Sequence, residues 1–202
     1  MLKRLNLIEG CKIISNQEII LNTGYEKTKR GYRANVDSDK IRELMKDFIS
    51  YNEPSKYFMV LELPLILRPE ERPWPYVLDT KRHQVYYLND LDQETINHIL
   101  FQYGDILIQD GVSSFGFVAL KSGDEMFKRP FNEITLYTEH NYDDFLKAHD
   151  LDNVGSLSVA ESFFDSNTQG LQEKVKMHDI IIDDVVAELK KIGLYFSQNM
   201  EI

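Results

Sequence analysis

The sequence predicts an α+β fold: a mostly antiparallel sheet with helices packed on it and a long C-terminal amphipathic helix. Apolar and aromatic runs typical of strands occupy much of the chain before about residue 140, and helical periodicity dominates the remainder. Hydrophobic residues make up 43% of the 202, which suffices for a core without disulfides or metal ions. We expect a single domain over 1–202, in which 140–202 could form a helical subdomain.

The first helix is predicted over 39–50, after two short strands within 12–22. It would begin at Asp37 or Ser38, which are favourable N-cap residues. The apolar stretch 57–88 follows and predicts buried strands on either side of a proline-rich loop. Spacings of three and four residues place the apolar side chains of the helix on one face: Ile41, Leu44, Met45, Phe48 and Ile49.

A second helix is expected to begin at Asp90 or Asp92. It should end at Gly104, because glycine favours the left-handed conformation that follows many helices. Strands are predicted at 106–108 and 112–120. A further strand over 131–138 follows from alternation, with Ile134 and Leu136 on one side and the following residues on the other: Phe131, Glu133, Thr135 and Tyr137.

After residue 138 the pattern becomes helical. Asn141 is a favourable N-cap for a short helix over 142–147. The strongest apolar periodicity lies in 171–192 and predicts the long C-terminal helix. Two lysines close its last turn, and Gly193 follows as a stop signal.

Several features indicate a cytoplasmic protein without membrane contact. Cys11 is the only cysteine, so no internal disulfide can form, and we expect it to be a small buried apolar residue. The stretch 1–9 lacks an apolar signal-peptide core because Glu9 interrupts it. No window approaches the roughly 18 apolar residues that a membrane span needs.

The formal net charge of −10 argues against a nucleic-acid partner, which requires a basic surface. The charge is spread unevenly along the chain. Seven basic and three acidic residues occur within 27–46, whereas eleven acidic and three basic residues occur within 139–184. We therefore expect an electric dipole with a basic early region and an acidic late region.

No motif for a catalytic, cofactor or metal site is present. The chain has neither a P-loop nor a G-x-G-x-x-G fingerprint, so no cofactor is predicted. The stretch 111–116 departs from the G-x-S-x-G nucleophile turn, and a strand pattern follows it instead of a helix. Four residues with metal-ligating side chains are near one another but match no known spacing, and no metal site is predicted: His140, Asp143, Asp144 and His149.

The loop 68–75 has the most unusual composition in the chain, with three prolines and the only tryptophan, Trp74. Prolines stiffen such a loop. A rigid aromatic side chain between arginines is typical of interface hot spots, although Trp74 could instead fold back over the core. The charged residues that would surround Trp74 at an interface are Arg68, Glu70, Glu71 and Arg72.

The acidic charge and the lack of motifs favour a non-catalytic protein-binding or regulatory domain that recognises a basic partner. Immunity-type, toxin-neutralising domains are one such kind. Exposed aspartates would steer the partner, and Trp74 would anchor it. The proposed steering residues lie beside apolar stripe positions: Asp143, Asp144, Asp183 and Asp184. The sequence leaves the oligomeric state open.

Three other functions fit the sequence. The chain could be a structural protein that assembles with further copies through its C-terminal helix. It could be an enzyme whose site is assembled from scattered residues: Glu62, Arg68, Asp79, His83 and Glu133. It could also bind a small anion through a basic cluster that is interleaved with two tyrosines, although a solvated hairpin tip would have the same composition. That cluster consists of Lys27, Lys29, Arg30 and Arg33.

Overall fold

The computed structural model describes residues 3–65 and 79–201, with side chains for 3–65 and 83–199. Within these residues the chain has the predicted α+β fold, with a large sheet, a small sheet and four helices. Every strand pair in the two sheets is antiparallel.

The large sheet contains eight strands: β2 (Gly24–Thr28), β3 (Gly31–Asn35), β4 (Tyr57–Leu65), β5 (Asp79–Leu91), β6 (Ser114–Ala119), β7 (Glu125–Lys128), β8 (Glu133–Tyr137) and β10 (Tyr195–Glu201). Their spatial order is β10-β5-β4-β6-β7-β8-β3-β2. The small sheet pairs β1 (Cys11–Ser15) with β9 (Thr168–Gln172). The long apolar stretch 57–88 of the sequence thus supplies β4 and β5. Counted from β10, β5 is the second strand of the large sheet and β4 is the third.

The four helices are α1 (Ile41–Tyr51), α2 (Gln93–Gln109), α3 (Asp143–Ala148) and α4 (Ile182–Lys191). Short 3-10 turns occur at Pro130–Asn132 and Ala160–Phe163. Asp92 caps α2 as predicted, because its carboxylate accepts the backbone N–H of Thr95 at 2.9 Å. None of the helices in the described residues is long and apolar enough to cross a membrane.

The helices cover one face of the large sheet. Side chains from that face, including Leu61, Phe117 and Leu136, form one continuous buried core with the apolar sides of α1, α2 and α4. The five stripe residues predicted for α1 are all buried in it. The opposite face carries a separate, smaller apolar cluster around Val60 and Val118, to which no helix among the described residues contributes. The protein is therefore built of two layers, sheet against helices.

The alternation predicted for 133–137 is confirmed in β8. Ile134 and Leu136 are buried in the main core, whereas the side chains between them face the other side of the sheet. Phe131 departs from the prediction, because it lies in the 3-10 turn with a φ of 55°. That backbone conformation turns its ring into the core, where it packs against Phe164 with ring centroids 5.3 Å apart.

The strand predicted at 106–108 is wrong, because α2 continues through Gly104 to Gln109. Gly104 is helical and buried, and a Cβ built on it would approach the guanidinium of Arg42 to 2.9 Å. The missing side chain makes room for Arg42 from α1, which pairs with Asp105 at 2.5 Å. The glycine therefore serves helix packing rather than helix termination.

The predicted long C-terminal helix is also wrong. The stretch 171–192 contains the end of β9, a turn and the short helix α4. His178 and Asp179 in the turn have φ angles of 48° and 65°, which an α-helix does not accommodate. The carboxylate of Asp184 accepts a hydrogen bond from the backbone N–H of Ile181 at 3.0 Å, which supports the start of α4 there.

The last quarter of the chain also supplies strands to both sheets. β9 pairs with β1, and β10 pairs with β5, so 140–202 is not composed of helices alone. Both pairings join residues that are more than 100 positions apart in the sequence. Local periodicity cannot reveal such a partner.

We expect the change Leu189→Ala to lower the free energy of unfolding by about 2–5 kcal/mol, because it removes a large apolar side chain from a close-packed core. Leu189 in α4 is only 1% exposed. Urea or guanidinium unfolding measures the change. Glu188→Ala on the same helix is the matched control, since its carboxylate makes only an exposed pair with Lys191. Equal effects of the two substitutions would show that α4 is not part of the core.

Candidate functional site

A cleft of about 780 Å³ opens beside the turn of the β2–β3 hairpin, and we call it the hairpin cleft. Its walls come from three stretches: 27–32 in the hairpin, 122–124 before β7, and 137–140 at the end of β8. Sheet pairing brings them together, because β8 pairs with β3 on one side and with β7 on the other. The ends of three strands therefore meet around one cleft.

The hairpin turn that forms one wall depends on Gly31. Its φ is 134°, and a Cβ built there would lie 2.1 Å from the carbonyl oxygen of Leu136. Only glycine fits such a conformation and such a close approach. The backbone N–H of Thr138 donates to the carbonyl oxygen of Arg30 at 3.0 Å, which ties the tip of the hairpin to the end of β8.

The four basic residues predicted as an anion site do not act together. The Lys27 ammonium pairs with the Asp143 carboxylate at 2.6 Å, and Arg33 pairs with Glu26 at 2.5 Å. Lys29 and Arg30 at the tip are exposed and form no ion pair with any described residue. Lys27, Lys29 and Arg30 line the hairpin cleft, whereas Arg33 does not.

A histidine and a buried aspartate form the opposite wall. Nδ1 of His140 lies 3.0 and 3.2 Å from the two carboxylate oxygens of Asp124. A carboxylate can only accept hydrogen bonds, so the proton of the imidazole sits on Nδ1. Nε2 on the other side of the ring makes no hydrogen bond to the described residues, and 59% of the side chain is exposed.

The Asp124 carboxylate is held by two further donors. The hydroxyl groups of Thr138 and Tyr142 donate to it at 2.5 and 2.9 Å. Burial raises the pKa of Asp124, but the hydrogen bonds from Thr138, His140 and Tyr142 outweigh that effect and leave it below its ordinary value. Asp124 is therefore a fixed, ionised group with its oxygens fully used.

The same contacts change the acidity of the histidine. The hydrogen bond to Asp124 and the negative charge of that carboxylate raise the pKa of His140 above its ordinary value of 6.5. His140 therefore becomes a cation more readily than a free histidine. In its neutral form it presents an unshared electron pair on Nε2 to the solvent side of the ring.

The acidic residues predicted as a steering surface lie on two helices and mostly have partners. On α3, Asp143 accepts from the Tyr25 hydroxyl at 3.0 Å in addition to pairing with Lys27, whereas Asp144 is fully exposed. On α4, Asp183 pairs with Lys174 at 2.6 Å, and Asp184 accepts a backbone N–H.

Glu62 and Glu133, two residues of the predicted enzyme site, both interact with Arg129, which the prediction did not include. Glu62 is buried in β4 and its carboxylate lies 2.5 Å from the guanidinium of Arg129, which stacks over the Phe127 ring at 5.1 Å. Burial raises the pKa of Glu133, and the charges of Arg33 and Arg129 only partly oppose the rise. These ionic groups lie on the sheet face away from the helices.

Two of the remaining predicted residues lie on β5, whose register with β4 places His83 on the same sheet face as Glu62. His83 lies in β5 opposite Pro64, and Asp79 begins that strand. Five residues of the predicted interface loop lie outside the described residues: Arg68, Glu70, Glu71, Arg72 and Trp74.

The histidines and aspartates considered as metal ligands have separate partners. His149 lies against Asp47, with Nε2 3.4 Å from its carboxylate, while His140 and Asp143 make the contacts described above. No three metal-ligating side chains converge within the described residues. Cys11 is buried and its sulfur accepts the backbone N–H of Phe131 at 3.3 Å; burial raises the pKa of the thiol.

Sequence analysis does not find the pairing of Asp124 with His140. Asp124 has the composition of an ordinary turn residue, and 16 positions separate it from His140. Thr138, His140 and Tyr142 are two residues apart, but the chain bends at 139–140, so no strand pattern marks them as one set. Only the pairing of β7 with β8 brings a carboxylate next to this segment.

We expect Asp124→Asn to destabilise the protein by about 1–3 kcal/mol at pH 7, because an amide cannot accept all three hydrogen bonds and leaves buried donors unsatisfied. The lowered pKa means that this contribution is present above the ordinary carboxyl pKa and is lost as the pH falls through the folded value. Urea unfolding should therefore show a smaller difference from wild type at pH 3 than at pH 7. Asp144→Asn is the control on an exposed carboxylate and should have little effect at either pH.

No family model, no curated protein and no solved structure matches the chain. The function of the hairpin cleft is therefore inferred from its own geometry.

Proposed function

We propose that the protein binds a small phosphate-type anion in the hairpin cleft. The observation that carries this proposal is the placement of Lys29 and Arg30, which have no carboxylate partner among the described residues, in the same cleft as an oriented His140. Exposed lysine and arginine side chains supply the charge-assisted donors that phosphate oxygens prefer. The protonated imidazole would add a third donor.

The size and surroundings of the cleft favour a small ligand. A volume of about 780 Å³ lies within the range of ordinary small-molecule sites. A long polyanion such as nucleic acid would contact much more of the surface, and the net charge of −10 would repel it. A compact anion would meet mainly the local field of the cations around the cleft, since salt screens charges beyond roughly 8–10 Å.

One acidic side chain opposes anion binding and provides a test. Glu139 lines the cleft next to His140 and is exposed, whereas the charge of Asp124 is buried and committed to three donors. Removing the charge of Glu139 should therefore strengthen anion binding. We regard Glu139 as a residue that limits affinity rather than one that binds the ligand.

The double variant Lys29→Ala/Arg30→Ala should bind inorganic phosphate or pyrophosphate at least about tenfold more weakly than wild type. One lost charge-assisted hydrogen bond is worth roughly 1.5–3 kcal/mol, and tenfold in affinity corresponds to about 1.4 kcal/mol. Isothermal titration calorimetry at low and moderate salt measures the change. The charge-matched control is Lys46→Ala/Lys176→Ala, whose residues do not line the cleft.

Equal losses in the two double variants would assign any binding to net charge alone and would contradict the site. Glu139→Gln should act in the opposite direction and strengthen phosphate binding. An unchanged or weakened affinity in Glu139→Gln would also count against a cleft-bound anion.

Sulfate affinity should fall as the pH rises through the pKa of His140, because the raised pKa keeps the ring cationic below that point and neutral above it. Sulfate suits this test because its own charge is constant over the range. The loss should be at least about tenfold, because one ionic hydrogen bond is worth roughly 1.5–3 kcal/mol and tenfold corresponds to about 1.4 kcal/mol. The other charged groups around the ring are lysine, arginine and carboxylate side chains: Lys27, Lys29, Arg30, Asp124 and Glu139.

Calorimetric titration with sulfate at several pH values separates His140 from the rest of the protein. His140→Gln should lose the pH step and match wild type at high pH. His178→Gln should keep the step, because His178 is an exposed histidine outside the cleft that also has an aspartate nearby, with its Nε2 3.9 Å from Asp105. If the pH step in sulfate affinity persists in His140→Gln, His140 is not part of the anion site.

The second candidate function is the one that the sequence favours, recognition of a basic protein partner by a non-catalytic, immunity-type or regulatory domain in the cytoplasm. Two observations support it. Asp144 is fully exposed, and β10 presents Tyr195 and Phe196 about half exposed at an end of the large sheet. A basic partner would be steered by exposed acidic groups and held by exposed aromatic rings, although Asp144 adjoins β2 and the two rings lie on β10, at the opposite end of the sheet.

A further inference from the structure

We infer that His140 is a phosphoryl acceptor, whose Nε2 attacks the phosphorus of a donor bound in the hairpin cleft and forms a phosphohistidine. The inference rests on the proposed anion-binding function and extends it from binding to covalent chemistry. Histidine is one of the side chains that form covalent intermediates when a neighbouring group orients and activates them.

The geometry distinguishes His140 from the other histidines with described partners. Its Nδ1 is held by a carboxylate that is only 4% exposed, while most of the ring faces solvent. His149 has the reverse arrangement, with a side chain that is only 11% exposed and lies beside the Phe145 ring. His178 is exposed, but its Nε2 is 3.9 Å from an exposed carboxylate, too far for a hydrogen bond.

Asp124 would assist the reaction as a positioning residue. It fixes the proton on Nδ1 and so leaves the electron pair on Nε2 available for attack. Attack through Nε2 turns the neutral ring into a cation, and the adjacent buried carboxylate stabilises the charge that develops. The two other hydrogen bonds to Asp124, from Thr138 and Tyr142, hold that carboxylate in place before the reaction begins.

The cationic side of the cleft would serve the phosphoryl group. Lys29 and Arg30 line the same cleft as the nucleophile rather than an unrelated surface. Lysine and arginine neutralise the charge on the oxygens of a transferring phosphoryl group, which is the main contribution of protein groups to such reactions. The cleft thus combines an oriented nucleophile with groups that stabilise the transferring phosphoryl group.

The step balances with phosphoramidate as the donor. The electron pair of Nε2 forms the new N–P bond, and the pair of the P–N bond leaves with ammonia, because the nitrogen of the zwitterionic donor already carries three protons. The ring keeps its proton on Nδ1 and becomes positively charged beside the Asp124 carboxylate. No oxidant, reductant or further reactant is needed.

The test is the rate of labelling of the full-length protein by phosphoramidate, followed by intact mass and by ³¹P spectra of an acid-labile, alkali-stable phosphoryl group. His140 should be labelled at least about tenfold faster than His178, since preorganised charge commonly changes such rates by more than that. His140→Asn should lose the fast label, while His178→Asn should keep it. The variant Lys29→Ala/Arg30→Ala should slow labelling of His140 by about tenfold.

The pH profile separates positioning by Asp124 from a purely structural role. In wild type the rate should rise with pH through the raised pKa of His140, because only the neutral ring attacks. In Asp124→Asn the rate should be lower and its midpoint should move towards the ordinary histidine value. Circular dichroism shows whether Asp124→Asn still folds. If that variant does not fold, His140→Asn, a substitution at an exposed position, provides the test of the inference instead.

Two outcomes would overturn the inference: labelling of His140 no faster than that of His178, or a fast label that persists in His140→Asn. Calorimetry with phosphate distinguishes failure of the phosphoryl-acceptor inference from failure of the proposed anion-binding function. Phosphate binding that depends on Lys29 and Arg30, without fast labelling, would refute the phosphoryl acceptor and leave the anion site standing. If phosphate binding does not depend on Lys29 and Arg30 and His140 is not labelled quickly, the anion site and the phosphoryl acceptor are both refuted.

Discussion

The hairpin cleft depends on one buried carboxylate, that of Asp124. A carboxylate without hydrogen-bond partners would be too costly to bury, so it is ionised only because three donors surround it. These donors come from alternate residues of one short segment between β8 and α3: Thr138, His140 and Tyr142. Asp124 therefore fixes that segment against the start of β7 and aims the imidazole at the same time. Loss of the carboxylate would disturb the wall of the cleft and the state of its histidine together.

The network extends from Asp124 into the helical layer. The Tyr142 hydroxyl, which donates to Asp124, accepts from the side-chain amide of Asn52 just after α1. That amide group also accepts from Ser122 in the turn before β7 at 2.8 Å. Helix, turn and strand end are thus joined by polar contacts around a ring that is completely buried. Such connected networks hold a site more rigidly than isolated contacts do.

Parts of the predicted basic and acidic regions of the chain meet in the structure. Lys27 and Asp143, taken from the basic and the acidic region, pair with each other, as do Lys40 and Asp150. The regions that differ most in charge therefore meet and partly cancel. Near the hairpin, Lys29 and Arg30 have no carboxylate partner among the described residues, and short-range charges of this kind act on a ligand in contact, where screening by salt is weakest.

The sequence by itself determined the class of fold, the buried face of α1 and the inward and outward sides of β8, and it limited the cap of α2 to Asp90 or Asp92, because these follow from local periodicity and capping chemistry. It also pointed to the basic hairpin, but not to which cations remain unpaired. Only the tertiary structure decided that Gly104 lies inside a helix, that 171–192 is divided between a strand and a short helix, and that Asp124 meets His140. Each of these results depends on a partner far away in the chain, Arg42 for Gly104, β1 for β9, and the pairing of β7 with β8 for the Asp124–His140 contact. Such partners leave no trace in local spacing.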